Sequence, residues 1–491
     1  MSDRIHTILD RQVAAQPDAP ALTDTLGHIW NYDELASASN DLTNKLTQLG
    51  VRRNDRIMIL MENCAAALAA IFAASRIGAA FIPVNARQSA TEIARVITHA
   101  DPAAILFTAE VSDEARAHAN ELGATPLHLG LHVLARVSNP EDVLEDVATI
   151  LYTTGTTGTP KGVMLTHANL IFGGQATRET RQLQSSDILY GVLPISHVFG
   201  LVSVLMGAMV SGASIRLEPR FAPATLYQAL TSGLTILFAV PQMHALLMQY
   251  TKEQGHDQLP SDTLRYVSSG AAPLDPDWKR RAEAFYGIPL QNGYGMTETS
   301  AGVCVTRHAD NNDDISVGPP SPGVRVKLDL EAPGAEGDVG EILVAGGGVM
   351  QGYFRNPDDT AQVFTSDGWL RTGDLGMIDD VSHLHIKGRS KELIIHGGFN
   401  VYPPEVEAAL NDHPQVIQCA VIGHAEDGDE KVYAFVEAAR DDWPDEDALR
   451  QFAAARLTGY KRPSRIILTE RLPAAATGKI LKHKLLDLLK S

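Results

Sequence analysis

The sequence predicts an α/β protein with a large N-terminal domain and a smaller α+β C-terminal domain. Strand-like and helix-like segments alternate in the first part of the chain, a polar stretch rich in Pro and Gly follows, and a second α+β pattern ends the chain. The length of 491 residues also exceeds what one core usually supports, because domains typically contain roughly 100–200 residues. We therefore expect at least two domains.

The N-terminal part contains a predicted βαβ unit. Residues 56–61 have the pattern of a buried strand, residues 64–76 that of an Ala-rich helix, and residues 79–84 that of the next strand. Such units build parallel sheets that carry helices on their faces. Strand patterns recur at residues 148–152 and 235–240, so we expect two α/β sheet subdomains.

The middle of the chain changes character. Residues 310–323 are polar and then rich in Pro and Gly, and segments with strand character follow at residues 324–330 and 340–344. This pattern predicts a small β-rich subdomain.

A second break falls at residues 387–391, and the remaining segments predict a separate α+β domain. Helix patterns occupy residues 405–410, 446–457 and 480–490, and strand patterns occupy residues 416–422 and 432–436. We therefore predict an N-terminal domain over residues 1–388 and a C-terminal domain over residues 389–491.

Charge and cysteine content argue against several classes of partner. With 41 basic and 59 acidic residues the net charge is −18, which disfavours nucleic acid and anionic membranes. Cys64, Cys304 and Cys419 lie too far apart for a metal motif or a disulfide framework, which fits a reducing compartment. We see no signal-peptide pattern at the start, and no apolar run long enough for a bilayer, so we expect a cytoplasmic protein.

The segment 153–162, with the sequence TTGTTGTPKG, has the composition of a phosphate-binding loop. Glycines allow close backbone approach, successive N–H groups can form an anion-binding concavity, and Lys161 adds a positive charge. A Walker loop would need Gly-Lys followed by Ser or Thr, whereas here Pro160 precedes Lys161 and Gly162 follows it. We expect a strand before this loop and a helix from near Thr166 after it, which disfavours a flexible linker.

Residues 152–162 resemble the phosphate loop of the acyl-adenylate-forming superfamily, which includes acyl- and aryl-CoA ligases, peptide-synthetase adenylation domains and luciferases. Thr154 stands where this family more often has Ser, and the hydroxyl is retained. The resemblance implies that the following residues bind nucleotide phosphates: Thr153, Thr154, Gly155, Thr156, Thr157, Gly158 and Lys161.

Residues 292–298, NGYGMTE, resemble the adenine and Mg²⁺ motif of the same family. The resemblance implies that Tyr294 stacks on the purine and that Gly293 and Gly295 leave room for it. Thr297 would contact the α-phosphate, and Glu298 would supply the hard oxygen ligand that Mg²⁺ prefers.

Residues 369–374 resemble the ribose motif of the family. The carboxylate of Asp374 would accept from the ribose hydroxyls, and Arg389 would make a second ribose or phosphate contact. Lys391 occupies the position of the hinge about which the C-terminal domain turns.

Two further motifs complete the resemblance. Residues 396–405 are similar to the loop that lines the pantetheine tunnel, with Gly397 and Gly398 next to the thiol-bearing chain of CoA. Residues 473–479 are similar to the terminal motif, in which Lys479 bridges the acid carboxylate and the α-phosphate. Acetylation would remove the charge of Lys479, so we hypothesise that it stops adenylation and spares thioester formation.

Residues 194–200, PISHVFG, resemble the motif beside the acid pocket, where His197 would lie between CoA and the adenylate. Peptide-synthetase adenylation domains usually have an Asp near this motif that binds the amino group of the substrate. No Asp lies between Leu193 and Leu201, which disfavours an amino acid substrate. The pocket walls are predicted to consist of apolar or small residues. None of these residues is a cation that could pair with a second carboxylate group, which disfavours a dicarboxylic acid. Their volume favours an aryl or phenylpropanoid acid or a medium-chain fatty acid. The predicted pocket residues are His197, Val198, Phe199, Val240, Gly270, Ala271, Gly293 and Ala301.

The resemblance implies an AMP-forming carboxylic acid–CoA ligase that uses ATP, Mg²⁺ and coenzyme A, with a small carboxylic acid as substrate. The alternative is a stand-alone adenylating enzyme that loads an acyl carrier protein. A non-catalytic nucleotide-binding protein is disfavoured because the key residues of the family motifs are all present, namely Lys161, Glu298, Asp374, Arg389 and Lys479. The oligomeric state stays open, with a homodimer as one alternative. The predicted catalytic residues are Lys161, His197, Thr297, Glu298 and Lys479.

Overall fold

The structure is a computed structural model with five sheets among the residues that it describes. The described residues are 3–154, 160–270, 274–307, 315–397, 399–426, 429–440, 443–474 and 480–489. Two large mixed sheets and a small antiparallel sheet precede residue 390, and a short two-stranded sheet and a three-stranded sheet follow it. The predicted α/β fold class is confirmed.

Helices and strands alternate through most of the N-terminal part. The α-helices are α1 (Ile5–Ala15), α2 (Tyr32–Gln48), α3 (Ala65–Ile77), α4 (Ala90–Ala100), α5 (Asp113–Glu121), α6 (His167–Arg181), α7 (Gly207–Ser211), α8 (Pro223–Thr231), α9 (Pro241–Glu253), α10 (Pro276–Tyr286), α11 (Pro357–Val363), α12 (Pro403–Asn411) and α13 (Glu446–Ala454). The strands up to the small sheet are β1 (Pro20–Thr23), β2 (Ile29–Asn31), β3 (Arg56–Met61), β4 (Ala80–Asn85), β5 (Ala104–Phe107), β6 (Thr125–Pro126), β7 (His132–Ala135), β8 (Val147–Thr154), β9 (Pro160–Thr166), β10 (Ile188–Gly191), β11 (Ser214–Leu217), β12 (Ile236–Ala239), β13 (Tyr266–Ser269), β14 (Leu290–Met296) and β15 (Ala301–Val305). The remaining strands are β16 (Val324–Asp329), β17 (Gly340–Gly346), β18 (Gly352–Tyr353), β19 (Leu370–Ile378), β20 (Leu384–Arg389), β21 (Ile394–His396), β22 (Phe399–Val401), β23 (Gln418–Glu426), β24 (Asp429–Glu437) and β25 (Arg465–Thr469).

The first large sheet has the order β18-β9-β8-β4-β3-β5-β7-β6 and contains the predicted βαβ unit. Strands β3 and β4 pair in parallel, and α3 connects them. Residues 65–75 of α3 are buried apart from Ala66, because its Ala-rich sequence is apolar on every side and lets neighbouring elements approach closely. Helix α3 is therefore buried within the core on nearly all sides, whereas a surface helix would bury only one face.

The second large sheet has the order β15-β14-β13-β12-β10-β11-β1-β2. Strands β12, β13 and β14 are parallel neighbours, so their carboxyl ends meet at one edge of the sheet. Ligands of open α/β sheets bind outside such an edge. The chain leaves β12 at Val240, leaves β13 at Gly270 and reaches Gly293 in β14, which brings three predicted pocket positions to this edge.

The β-rich part and the C-terminal part also match the predicted pattern. The small sheet is antiparallel, with the order β16-β17-β19-β20. The last sheet, β23-β24-β25, packs with α12 and α13 around a core of its own.

One strand was not predicted, and one predicted helix differs in type. The helix predicted from near Thr166 is confirmed as α6, with Thr166 as its N-cap. The apolar residues after Lys161 form β9, an unpredicted strand that pairs antiparallel with β8. The predicted C-terminal helix is a 3₁₀-helix over Lys482–Leu489, and ion pairs of Lys482 with Glu392 and Glu407 anchor its first turn.

The three cysteines are buried and unpaired, as their spacing predicts. Burial raises the pKa of the Cys64 thiol to about 12 and raises the pKa of Cys304 and Cys419 as well. Among the described residues, none of the helices combines the length and the apolar character that a bilayer crossing requires.

Candidate active site

The described ends of the phosphate segment belong to the antiparallel strands β8 and β9. Thr153 of β8 lies opposite Lys161 of β9, so the two predicted residues are neighbours across this pair. The backbone of Thr154 ends β8, whereas the predicted contacts Gly155, Thr156, Thr157 and Gly158 lie outside the described residues.

Lys161 connects β9 to a neighbouring segment that the sequence prediction missed. Its Nζ lies 2.5 Å from the Asp359 carboxylate and 5.0 Å from the centroid of the Tyr353 ring. This ion pair and the ring contact fix a flexible side chain beside the phosphate segment.

Tyr353 links Lys161 to the predicted metal ligand. Its strand, β18, pairs with β9 so that Tyr353 lies opposite Val163, and its hydroxyl donates to Glu298 Oε1 at 3.0 Å. Burial raises the pKa of Glu298, although this hydrogen bond favours the ionised form. Thr297, which is also buried, precedes Glu298 in the chain. The predicted lysine and glutamate thus lie on either side of one tyrosine.

Tyr294, Asp374 and Arg389 form a second cluster. Asp374 and Arg389 lie opposite each other in the β19–β20 pairing, and Arg389 Nε is 3.1 Å from Asp374 Oδ1. The Tyr294 hydroxyl donates to Asp374 Oδ2 at 2.5 Å. Burial and the Asp374 charge both raise the pKa of Tyr294, so the hydroxyl keeps its proton and remains a donor. The structure therefore brings together three residues predicted from separate motifs.

The substitution Asp374→Ala should weaken nucleotide binding. It removes a possible acceptor for ribose and leaves Arg389 and the Tyr294 hydroxyl without their carboxylate partner. We expect the KM for ATP to rise roughly 10-fold or more, since hydrogen bonds to charged groups contribute about 1.5–3 kcal/mol. ATP–pyrophosphate exchange measures this change. The matched control is Asp367→Ala, which removes an exposed carboxylate paired with Lys327. An unchanged KM in the Asp374 variant would contradict the assignment.

Gly295 allows two chain segments to approach closely beside Tyr294. The β14–β15 pairing is irregular between Tyr294 and Gly295, and a Cβ on Gly295 would lie 1.3 Å from the Ala301 carbonyl oxygen. Ala301 itself has a φ of 74°, in the left-handed region that non-glycine residues rarely adopt. The backbones of the antiparallel neighbours β14 and β15 therefore approach each other closely at this point of the site.

The substitution Gly295→Ala should therefore destabilise the protein. No side chain can yield at this contact, because the obstructing atom belongs to the backbone. We expect a loss of at least about 1–3 kcal/mol in unfolding free energy and a loss of adenylation, measured by denaturant unfolding and by exchange. Gly459→Ala is the control, because a Cβ at this position would meet no atom within 4 Å beyond its own local backbone and chain neighbours. Equal stability of the two variants would rule out this explanation.

The predicted acid-pocket motif continues into a π-helix over Phe199–Met206. Before it, His197 N donates to the Pro194 carbonyl at 2.9 Å, and Phe199 N donates to His197 Nδ1 at 3.3 Å. Because Nδ1 accepts this hydrogen bond, the neutral imidazole carries its proton on Nε2. π-Helical turns are rare and frequently occur at functional sites.

Phe199 forms one wall of the predicted pocket. Its ring would lie 3.2 Å from a Cβ on Gly270, and its centroid is 6.2 Å from that of Phe238. Val198 is buried, and Val240 caps α9 just after β12. Gly293 lies close to the Cys304 carbonyl, across the pairing of β14 with β15.

Three of the remaining predicted residues, Ala271, Gly398 and Lys479, lie outside the described residues. Lys391 lies in the 3₁₀ turn Ser390–Glu392 between β20 and β21. Gly397, with a φ of 58°, donates its N–H to Asp429 Oδ1 at 2.9 Å. The roles of Lys391 as hinge and of Gly397 as a CoA contact stay predictions.

Tyr353 and Asp359 were not predicted as site residues. Both belong to the segment 352–360, GYFRNPDDT, in which a Tyr follows a Gly and Pro357 starts α11. This pattern indicates a turn into a short helix, but only the pairing of β18 with β9 brings the segment to Lys161.

Comparison with known proteins agrees with this geometry. The family described as AMP-binding enzyme matches residues 9–354, and the AMP-binding enzyme C-terminal domain matches residues 405–479. Feruloyl-CoA synthase of an Amycolatopsis species is 34% identical over 485 residues, covering 96% of each chain. 4-Coumarate–CoA ligase 1 of Arabidopsis thaliana is 30% identical, covering 98% of this chain and 92% of that protein.

A solved structure shares the fold over almost the whole length. The o-succinylbenzoate CoA synthetase of Bacillus subtilis in complex with ATP and magnesium ion superposes with a TM-score of 0.83 at 26% identity, covering 98% of this chain and 99% of that one. These matches confirm the resemblance that the motifs predicted. The chain belongs to the AMP-binding enzyme family.

Proposed function

We propose that this protein is an AMP-forming ligase that joins an aryl carboxylic acid to coenzyme A, using ATP and Mg²⁺. The observation that carries the proposal is the proximity of two clusters, since Glu298 of one interacts electrostatically with Arg389 and Asp374 of the other. Lys161, Tyr353 and Glu298 form the cluster beside the phosphate segment. Tyr294 and Asp374, with Arg389, form the cluster suited to the nucleoside.

In the first half-reaction the acid carboxylate attacks the α-phosphate of ATP, the bond to pyrophosphate breaks, and an acyl-adenylate forms. Lys161 and the phosphate segment hold the outgoing phosphates, while Thr297 and Lys479 orient the α-phosphate. Asp374 binds the ribose, and the Tyr294 ring supports the adenine. The buried carboxylate of Glu298 is a suitable ligand for Mg²⁺, and Mg²⁺ supplies charge neutralisation on the phosphates when bound.

In the second half-reaction the CoA thiol attacks the acyl carbonyl and AMP leaves. We assign residues 1–388 to the adenylating domain and residues 389–491 to the domain that turns about Lys391. This rotation removes Lys479 and brings Gly397 and Gly398 to the pantetheine chain. His197, within the acid-pocket motif, separates the CoA path from the adenylate.

The favoured substrate is an aryl or phenylpropanoid acid, and a medium-chain fatty acid is the alternative. The aromatic pair Phe199 and Phe238 and the small residue Gly270 suit a flat ring. The relatives that carry the names feruloyl-CoA synthase and 4-coumarate–CoA ligase support the same class. A cytoplasmic location agrees with three free, buried thiols.

The test is incubation with ATP, Mg²⁺, CoA and a panel of benzoic, cinnamic, short-chain and medium-chain acids, with AMP and thioester mass as readouts. Acid-dependent AMP together with an aryl-CoA product is the expected result. AMP or pyrophosphate without a thioester would instead indicate an acyl carrier protein as acceptor. Turnover of alkyl acids alone would overturn the aryl assignment.

A further inference from the structure

A buried asparagine joins the two large sheets next to the acid-pocket motif. Asn63 follows the carboxyl end of β3 in the first large sheet, and only 3% of its surface is exposed. Its Nδ2 donates to the carbonyl oxygens of Gly191 at 2.8 Å and of Leu193 at 2.9 Å. Its Oδ1 accepts from Ile195 N at 2.9 Å. These three hydrogen bonds fix the orientation of the amide, since only Nδ2 can donate and only Oδ1 can accept.

The segment that Asn63 holds leaves the second large sheet and leads to His197. Gly191 ends β10, and a turn follows in which His197 N donates to the Pro194 carbonyl at 2.9 Å. The imidazole is held in the same way, because its Nδ1 accepts from Phe199 N at 3.3 Å. A short path of hydrogen bonds therefore connects the Asn63 amide to the ring of His197.

The same turn is packed closely on its other side. A Cβ on Gly200 would lie 2.3 Å from the Pro194 carbonyl oxygen and 2.6 Å from that of Leu193. The backbone groups that Asn63 binds belong to buried residues, and buried backbone groups are nearly always hydrogen-bonded. Removal of the amide would take away their partner, so we expect the turn to shift.

We propose that Asn63 is a positioning residue that holds the turn carrying His197 and thereby supports acid binding and the second half-reaction. This inference rests on the proposed ligase function and on the place that it gives His197 between CoA and the adenylate. Asn63 contacts no reacting group in this account and acts only through the turn. A displacement of about 1 Å at a group that orients the reactants can lower a rate roughly 100-fold.

The test is N63D, with the two half-reactions measured separately. Aspartate has nearly the same shape, but it loses both donors and presents an oxygen to two carbonyl oxygens. We expect thioester formation from a supplied acyl-adenylate and CoA to fall roughly 10- to 100-fold, and the KM for the acid in ATP–pyrophosphate exchange to rise several-fold. The KM for ATP should stay within about twofold of the wild type, because Tyr294 and Asp374 belong to a different cluster.

A double-mutant cycle with H197A separates positioning from a general loss of stability. If Asn63 acts through His197, N63D should lower thioester formation only slightly further once H197A is present. A purely structural defect would lower both half-reactions in equal proportion, leave the KM values unchanged and add to the effect of H197A.

The matched control is Y32F, because the buried Tyr32 hydroxyl donates to the Ala213 carbonyl at 2.8 Å. Ala213 precedes β11 at its amino end, whereas Gly191 ends the parallel neighbour β10, so the two contacts lie at opposite edges of the sheet. Y32F should preserve both half-reactions. If N63D fails to fold, N63S carries the test, because its hydroxyl keeps one donor and should shift the same quantities less.

The outcomes distinguish this inference from the proposed function. Additive effects in the cycle, or wild-type thioester formation and acid KM in a folded Asn63 variant, would overturn the inference while the ligase function stands. Absence of any acyl-CoA product from the wild-type enzyme would overturn both.

Discussion

Alanine at Lys479 is expected to stop adenylation and to spare the second half-reaction. In the proposed mechanism, the ammonium group bridges the acid carboxylate and the α-phosphate only while the adenylate forms. Removing one preorganised charge of this kind typically costs about 10²–10³-fold in rate, so ATP–pyrophosphate exchange should fall at least that far. Thioester formation from a supplied acyl-adenylate and CoA should stay within a few-fold of the wild-type rate.

The control for this experiment is Lys484→Ala, since Lys484 is exposed in the neighbouring 3₁₀-helix. Stoichiometric acetylation of Lys479 should reproduce the alanine result, because acetylation also removes the charge. Full exchange activity after either change would exclude a catalytic role for Lys479. A parallel loss of both half-reactions would mean that the residue maintains the fold of the C-terminal part.

The substitution Glu298→Gln should cause the second large effect, a loss of Mg²⁺-dependent adenylation. Glutamine keeps the shape and can still accept the hydrogen bond from Tyr353, but it lacks the negative charge that attracts the cation. We expect kcat for exchange to fall about 10²-fold or more and the Mg²⁺ concentration for half-maximal rate to rise. A Mg²⁺ titration of the exchange rate measures both.

Glu218→Gln provides a matched control, because burial also raises the pKa of Glu218, which pairs with Arg216. The pH profile gives a second readout. Since the pKa of Glu298 is raised, its carboxylate becomes protonated at a higher pH than an exposed glutamate, and Mg²⁺ binding is lost as pH falls through that pKa. The acid limb of the wild-type profile should therefore move towards lower pH as Mg²⁺ is increased. An acid limb independent of Mg²⁺ would count against Glu298 as the ligand.

Sequence patterns predicted the elements whose periodicity is strong. The buried strand at residues 56–61 has the bounds that the pattern predicted, and the Ala-rich helix differs by one residue at each end. The absence of β9 from the prediction has a different origin. Residues 163–165 are apolar, so they suit a strand as well as the approach to a helix, and the pairing partner decides between them.

The candidate site was predictable only where each residue lies in its own motif. Asp374 and Arg389 were predicted separately, and the β19–β20 register explains why they meet. Tyr353 and Asp359 were missed for the converse reason. Both lie far along the chain from Lys161, and only the pairing of β18 with β9 brings them to it. Local sequence carries no information on such distances.

The burial of all three cysteines has a practical consequence for measuring turnover. Thiol reagents attack the thiolate, and burial holds the pKa of these thiols above the usual range while also blocking access. The folded protein should therefore give almost no background with a chromogenic disulfide reagent. The CoA thiol that remains can therefore be titrated with the reagent in samples withdrawn during turnover, and a rising background would report unfolding of the enzyme during the assay.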